Sequence, residues 1–159
     1  MHRMIIFLLM ATLCACARPA STPATASASA SAAASGSEAR ASVDGVVLRA
    51  STIPLASLGP QVARQYGIDQ SRPGLLLLLT IRNAANDAVE PGALRVSATA
   101  AVLPDPAQPV PLRPIRTGDL LDYIGVVEAS APASVHFKIS AQRNGARANI
   151  DLTRDLLPR

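Results

Sequence analysis

Three stretches of the chain alternate apolar and polar side chains with a period of two, the mark of strands that bury one face. Leu94, Val96, Ala98, Ala100 and Val102 point one way, and Arg95, Ser97 and Thr99 the other. Val135, Phe137 and Ile139 oppose His136, Lys138 and Ser140; Ala148, Ile150 and Leu152 oppose Arg147, Asn149, Asp151 and Thr153. Asn144-Gly145 joins the last two stretches. Both residues are comfortable at positive φ, so the pair predicts a two-residue type I′ hairpin. Further strands are expected near 45–52, 74–82, 109–115 and 121–129, between clusters of Pro, Gly, Asn and Asp. Prolines at 104, 106, 109, 111 and 114 remove ladder donors and push the 109–115 segment to a sheet edge. One short helix fits before the second of these strands, with Pro60 at its first position, Val62 and Tyr66 on one face and Gly67 as its stop. About seven short strands and one short helix over residues 43–159 predict an all-β fold, an immunoglobulin-like antiparallel β-sandwich.

The run Leu75-Leu76-Leu77-Leu78-Leu79-Thr80-Ile81 breaks the alternation, being apolar on both faces. Either it is a central strand whose second face lies under the 57–66 helix, or it presents an apolar strip to a partner or lipid.

The N-terminus follows a different logic. His2 and Arg3 precede a ten-residue apolar run, Met4 to Leu13. At about 1.5 Å per residue that run covers about 15 Å, half the ~30 Å hydrocarbon core, so it suits a cleaved signal peptide over a permanent span. The following Leu13-Cys14-Ala15-Cys16 resembles a bacterial lipobox. The resemblance implies removal of residues 1–15, a thioether-linked diacylglycerol on Cys16 and acylation of the new amino terminus, by palmitate or a similar chain. Several acyl chains anchor stably where one is marginal. Ala17 in place of Asp implies the outer membrane, at its periplasmic face. The alternative is an ordinary secretory cut near Ala15 or Ala17, leaving a soluble periplasmic protein. Residues 17–42 are almost wholly Ala, Ser, Thr and Pro, with no apolar period, and are expected to form a disordered tether with a root-mean-square span of roughly 28 Å.

Composition then narrows the chemistry. The whole chain carries +4. From residue 43 onward, however, twelve basic residues (fifteen less Arg3, Arg18 and Arg40) face ten acids (eleven less Glu38), a net of +2. Only 16% of residues are charged, so the high pI of 9.8 reflects scarcity of titrating groups and predicts no nucleic-acid partner. Cys14 leaves with the signal peptide, so at most one cysteine remains, and neither an internal disulfide nor a thiolate metal site is expected. His136 is the one histidine left, on the outward face of its strand beside Lys138, and no Gly-x-Ser-x-Gly elbow is present. Zinc lacks ligands, and no phosphate loop or dinucleotide fingerprint occurs, so no metal, cofactor or catalytic residue is expected. Asp119, Asp122, Glu128 and Asp151 are the acids that a carboxylate-pair hydrolase would have to bring together; Asp119 after Gly118 also suits a turn. The polar and aromatic candidates for a recognition patch are Tyr66, Arg113, Arg116 and Tyr123.

Val62-Ala63-Arg64-Gln65-Tyr66-Gly67-Ile68, then Ser71-Arg72 and a hydrophobic strand, resembles the bacterial domain of unknown function 4426 family. So does Leu112-Arg113-Pro114-Ile115-Arg116-Thr117-Gly118-Asp119, followed by Tyr123-Ile124-Gly125, Phe137 and Ile139. The resemblance covers roughly residues 46–156. The chain departs from the family pattern at Leu121 and Asp122, and at Pro114. Members are small exported proteins of proteobacteria without an established activity, so the resemblance implies compartment and domain extent and carries over no catalytic residue.

These readings converge on a lipid-anchored, non-catalytic interaction or assembly module of the Gram-negative envelope, its partner an envelope protein or cell-wall polymer. Two alternatives stand beside it: a small envelope hydrolase using paired carboxylates, and a carrier of a small apolar ligand held in a cavity behind the 75–81 strand.

Overall fold

In the computed structural model the structure describes residues 29–158. The signal peptide, Cys16 and the first part of the expected tether lie outside them. Two-residue turns fix the register of the domain at three places. Val43 pairs with Val46 around Asp44-Gly45, Thr117 with Leu120 around Gly118-Asp119, and Arg143 with Ala146 around Asn144-Gly145. Asn144 and Gly145 have φ of 46° and 86°, and Asp44 and Gly45 of 45° and 78°, the left-handed values a type I′ turn requires.

Ten strands are described: β1 (Ser29–Ser35), β2 (Glu38–Val43), β3 (Val46–Pro54), β4 (Gly74–Arg82), β5 (Arg95–Val102), β6 (Gln108–Val110), β7 (Arg113–Thr117), β8 (Leu120–Glu128), β9 (Ala133–Arg143) and β10 (Ala146–Leu156). They form two five-stranded sheets, in the orders β1-β10-β9-β5-β6 and β2-β3-β4-β8-β7. Every pairing is antiparallel except that of β1 with β10. Alternate residues of both sheets meet in one core, where Leu48, Leu75, Leu77, Leu79, Val135, Phe137 and Leu152 have no exposed surface. The antiparallel β-sandwich with one short helix is therefore the fold, with ten strands where about seven are expected. Among the described residues no helix is long and apolar enough to cross a membrane.

The expectations fail in three places. Residues 29–42, assigned to the tether, include β1 and most of β2, so the domain begins well before Val43. Composition hides a real alternation there: Ala39, Ala41 and Val43 are buried while Glu38, Arg40 and Ser42 are exposed. Strand β1 has no large side chain to bury and is held by its ladder on β10, from Ser29 opposite Arg147 to Ser35 opposite Thr153. The 109–115 segment is not one strand but two, β6 and β7, because Pro111 and Leu112 carry the chain from one sheet to the other. Both pieces are edges, as the prolines require.

The third departure concerns the helix α1 (Pro60–Gln65), which begins at Pro60 as expected. It buries Ala63, with Ile68 just beyond it, and leaves Val62 40% exposed. Together with Leu55 they cover Leu76 and Ile124 on the outer face of the second sheet, and Leu78 and Ile115 pack beside them. Both faces of the 75–81 run are thus covered. Leu75, Leu77, Leu79 and Ile81 face the main core, and Leu76 and Leu78 lie in the cluster capped by α1.

Candidate functional site

The four residues of the expected recognition patch lie on two faces of one sheet. Arg113 is opposite Ile124, which belongs to the cluster under α1, and its guanidinium donates to the Tyr66 carbonyl. Pro114 is opposite Tyr123, whose ring packs against the main core, and Arg116 is opposite Leu121. Period-two alternation therefore puts Arg113 with Tyr66 on the outer face and Arg116 with Tyr123 on the other. The pairs do not join into one patch.

The four acids are equally separated. Asp119 sits in the β7–β8 turn after Gly118, whose φ is 61°. Asp122 accepts two hydrogen bonds from Arg82, of 2.7 and 3.3 Å. Glu128, at the far end of β8, pairs with Arg72. Asp151 lies in the other sheet, 3.5 Å from the half-buried His136. These four acids do not converge on one point in the way that paired-carboxylate chemistry requires. Among the described residues no group of three or more His, Cys, Asp or Glu stands together to hold a metal ion.

What the fold does build is a cleft at one open end of the sandwich, of about 640 Å³. Its walls include Pro54, Pro73, Ala129, Ala131, Leu156 and Leu157, and its polar side chains are those of Thr153, Arg154 and Asp155. Behind the 75–81 strand, where the carrier reading places a cavity, Leu75, Leu77 and Leu79 have no exposed surface.

Arg154 is the unusual member of this cleft. Along β10 the buried residues Ala148, Ile150 and Leu152 define the inward face, and Arg154 occupies the next inward position. It is opposite Val135, which is itself fully buried. The half-buried guanidinium has no acid or acceptor among the described residues, and its Nε is buried without a hydrogen bond. Thr52, 4% exposed, occupies the corresponding inward position on β3, one step inside Pro54, and its Oγ1 also lacks a partner. Backbone bonds tie each of the two strands to the β1–β2 connection at this level: Gly36 donates to the Thr153 carbonyl and Thr52 to the Ser37 carbonyl, at 3.0 and 2.8 Å. Sequence reasoning passes over Arg154 because the alternation read for 147–153 stops one residue short. Continuing it would place a cation in a core slot, which is the signal.

Arg72, the other arginine near this end, already has acids of its own in Glu128 and Asp69. Arg72 is held charged chiefly by its hydrogen bond to Glu128, with the Glu128 and Asp69 charges adding to it. Asp69 in turn lies below the usual carboxylate range, mainly because the Ser71 hydroxyl and then the Ser71 amide donate to it.

A family model described as a domain of unknown function, DUF4426, matches residues 41–158, from the middle of β2 to the end of the described chain. The crystal structure of a DUF4426 family protein from Pseudomonas aeruginosa PAO1 superposes with a TM-score of 0.60 at 14% identity, covering 77% of this chain and 97% of that one. FetP of uropathogenic Escherichia coli strain F11, expressed in the periplasm, gives a TM-score of 0.52 at 10% identity over 76% and 94% of the two chains. A copper-bound variant of FetP gives 0.54 at 11% identity over 77% and 97%. At these identities the likeness is one of fold. No curated protein matches the chain.

Proposed function

The chain belongs to the DUF4426 family, a domain of unknown function, and from that premise we propose that it is a non-catalytic interaction module of the Gram-negative envelope, anchored by lipid on Cys16 to the periplasmic face of the outer membrane. The observation that carries the binding role is the make-up of the cleft. Its walls are mostly Gly, Pro, Ala and Leu, with Thr153, Arg154 and Asp155 as the polar side chains, a lining suited to holding a ligand and without a histidine, a cysteine or a pair of acids. The anchor rests on the Leu13-Cys14-Ala15-Cys16 sequence.

The direction of β1 gives the module an orientation. Ser29 enters beside Arg147, near the Asn144-Gly145 turn, whereas Ser35 leaves beside Thr153 and Gly36 lines the cleft. Twelve residues, 17–28, separate Cys16 from Ser29, at most roughly 40 Å of fully extended chain. An anchor at Cys16 therefore attaches at the turn end, and the cleft opens at the end facing away from it, toward an envelope protein or cell-wall polymer.

Acyl labelling and fractionation of wild type and Cys16→Ser test the reading. Label on wild type alone, with Cys16→Ser released to the soluble periplasm, supports it. Equal membrane association of both forms overturns the anchor.

A further inference from the structure

We propose that the cleft at the open end of the sandwich binds a small amphipathic carboxylate, with the carboxylate on the Arg154 guanidinium and an alkyl chain along the wall of Pro54, Pro73, Ala129 and Leu156. The inference deepens the binding reading above and rests on it.

Three observations select this ligand class. First, Arg154 continues the inward series of Ala148, Ile150 and Leu152, so a permanent cation lies where the strand pattern calls for an apolar side chain. A half-buried guanidinium without an acid is costly, and a bidentate carboxylate is the partner its fork of donors fits. Arg72, Arg82 and Arg143 differ in this respect, each having an acid of its own in Glu128, Asp122 and Asp44. Second, apart from Thr153 and Asp155, which alternate to the outward face of β10 on either side of Arg154, the wall is Gly, Pro, Ala and Leu, which offers dispersion contact and few side-chain hydrogen bonds. A peptide would bring amides needing partners that prolines and alanine methyls do not supply, whereas an alkyl chain needs none. Third, about 640 Å³ falls in the range of small-molecule sites. An unpaired cation within a mainly apolar lining matches the two parts of an alkyl carboxylate.

The test is an amide NMR titration of full-length Cys16→Ser protein, which carries no acyl chains to compete for the cleft, with decanoate below its micelle concentration. Decanoate should shift the amides of Gly36, Gly74, Ala129 and Leu156 saturably. Arg154→Met should weaken that binding about tenfold or more, the loss of a hydrogen-bonded charge partner, while neutral decanol binds both proteins alike. Arg154→Lys should retain part of the affinity. Arg154→Met should also melt at or above the temperature of the parent, because it removes an unpaired charge from the inward face, so lost binding would not reflect unfolding. Absence of saturable decanoate binding, shifts confined to other surfaces, or equal affinity in Arg154→Met would each overturn the proposal. Saturation by the dipeptide alanyl-alanine but not by decanoate would overturn it in favour of a peptide. None of these outcomes bears on acyl labelling at Cys16, so failure of the ligand and failure of the anchor are separable.

Discussion

Arg82 on β4 holds Asp122 on β8 through two hydrogen bonds, of 2.7 and 3.3 Å, with both side chains less than a fifth exposed. The same guanidinium donates to the Ile81 carbonyl at 2.7 Å, so it fastens two neighbouring strands at the end remote from the cleft. Asp122→Ala leaves a largely buried arginine without its acid and should cost about 2–4 kcal/mol. Replacing both partners with apolar residues should cost much less. Chemical denaturation of the two single variants and the double variant checks this. A double variant as unstable as the sum of the singles would show that the pair is not coupled.

How much of this was legible in the sequence depends on what each residue's neighbours reveal. Phe137, Ile139, Ile150 and Leu152 announce their strands by period, and Asn144-Gly145 announces the turn between them. Asp44-Gly45 carries the same turn signal, but the preceding strand is built of Ala39, Ala41 and Val43. Small residues in an Ala/Ser-rich stretch look like a linker until the sheet that buries them is known. The covering of Leu76 and Leu78 by α1 was legible from the two-faced run, yet which helical residues turn inward was not. Pro60 starts the helix, but the burial of Ala63 in place of Val62 depends on how α1 lies on the sheet. Tyr66 and Tyr123 fall on opposite faces because Tyr66 packs beside α1 on the outer face of the second sheet while Tyr123 turns to the main core, a tertiary fact that spacing does not encode. Arg154 was readable in principle, since it extends a visible alternation into a forbidden residue type.

Strand β1 ties composition to assembly. Its backbone ladder to β10 is offset by the cost of ordering seven small residues, so deleting residues 29–35 should lower stability by less than about 2 kcal/mol. The larger effect should be on association. Removal of β1 uncovers the edge of β10, and an exposed edge recruits another chain. Sedimentation velocity should show concentration-dependent self-association in this deletion, whereas deleting residues 17–28 leaves a monomer with unchanged melting temperature. A monomeric 29–35 deletion with the wild-type melting temperature would mean that β1 does not protect the edge.

Asp69 provides a pH-dependent contact in the segment between α1 and β4. Its carboxyl is held below the ordinary value of 3.8, first by the Ser71 hydroxyl and then by the Ser71 amide. A depressed acid stabilises the fold above its unfolded value and loses that contribution as the pH falls through the folded one. The Asp69 contribution should therefore be complete above about pH 4 and vanish only at lower pH. In Ser71→Ala the carboxyl titration followed by NMR should move back up toward the ordinary value. A midpoint unchanged by the substitution would show that the hydroxyl does not donate.

Gly125 marks the crossing of the chain between the sheets. It faces inward on β8 opposite Leu77, and a Cβ built on it would lie 2.5 Å from Val110 Cγ1, 3.2 Å from Leu112 Cδ2 and 3.3 Å from the Pro111 carbonyl oxygen. The β6–β7 connection rests directly on this glycine, so its small size, not its backbone freedom, is what the site requires. Gly125→Ala should cost about 1–3 kcal/mol by overpacking. Val110→Ala removes the methyl group that the new Cβ meets first. Although it is destabilising alone, it should recover part of the loss when combined with Gly125→Ala. Melting curves of the two single variants and the pair decide the point. If the double variant loses at least the sum of the two singles, the clash with Val110 is not the cause, and the crossing is held off β8 by its own backbone.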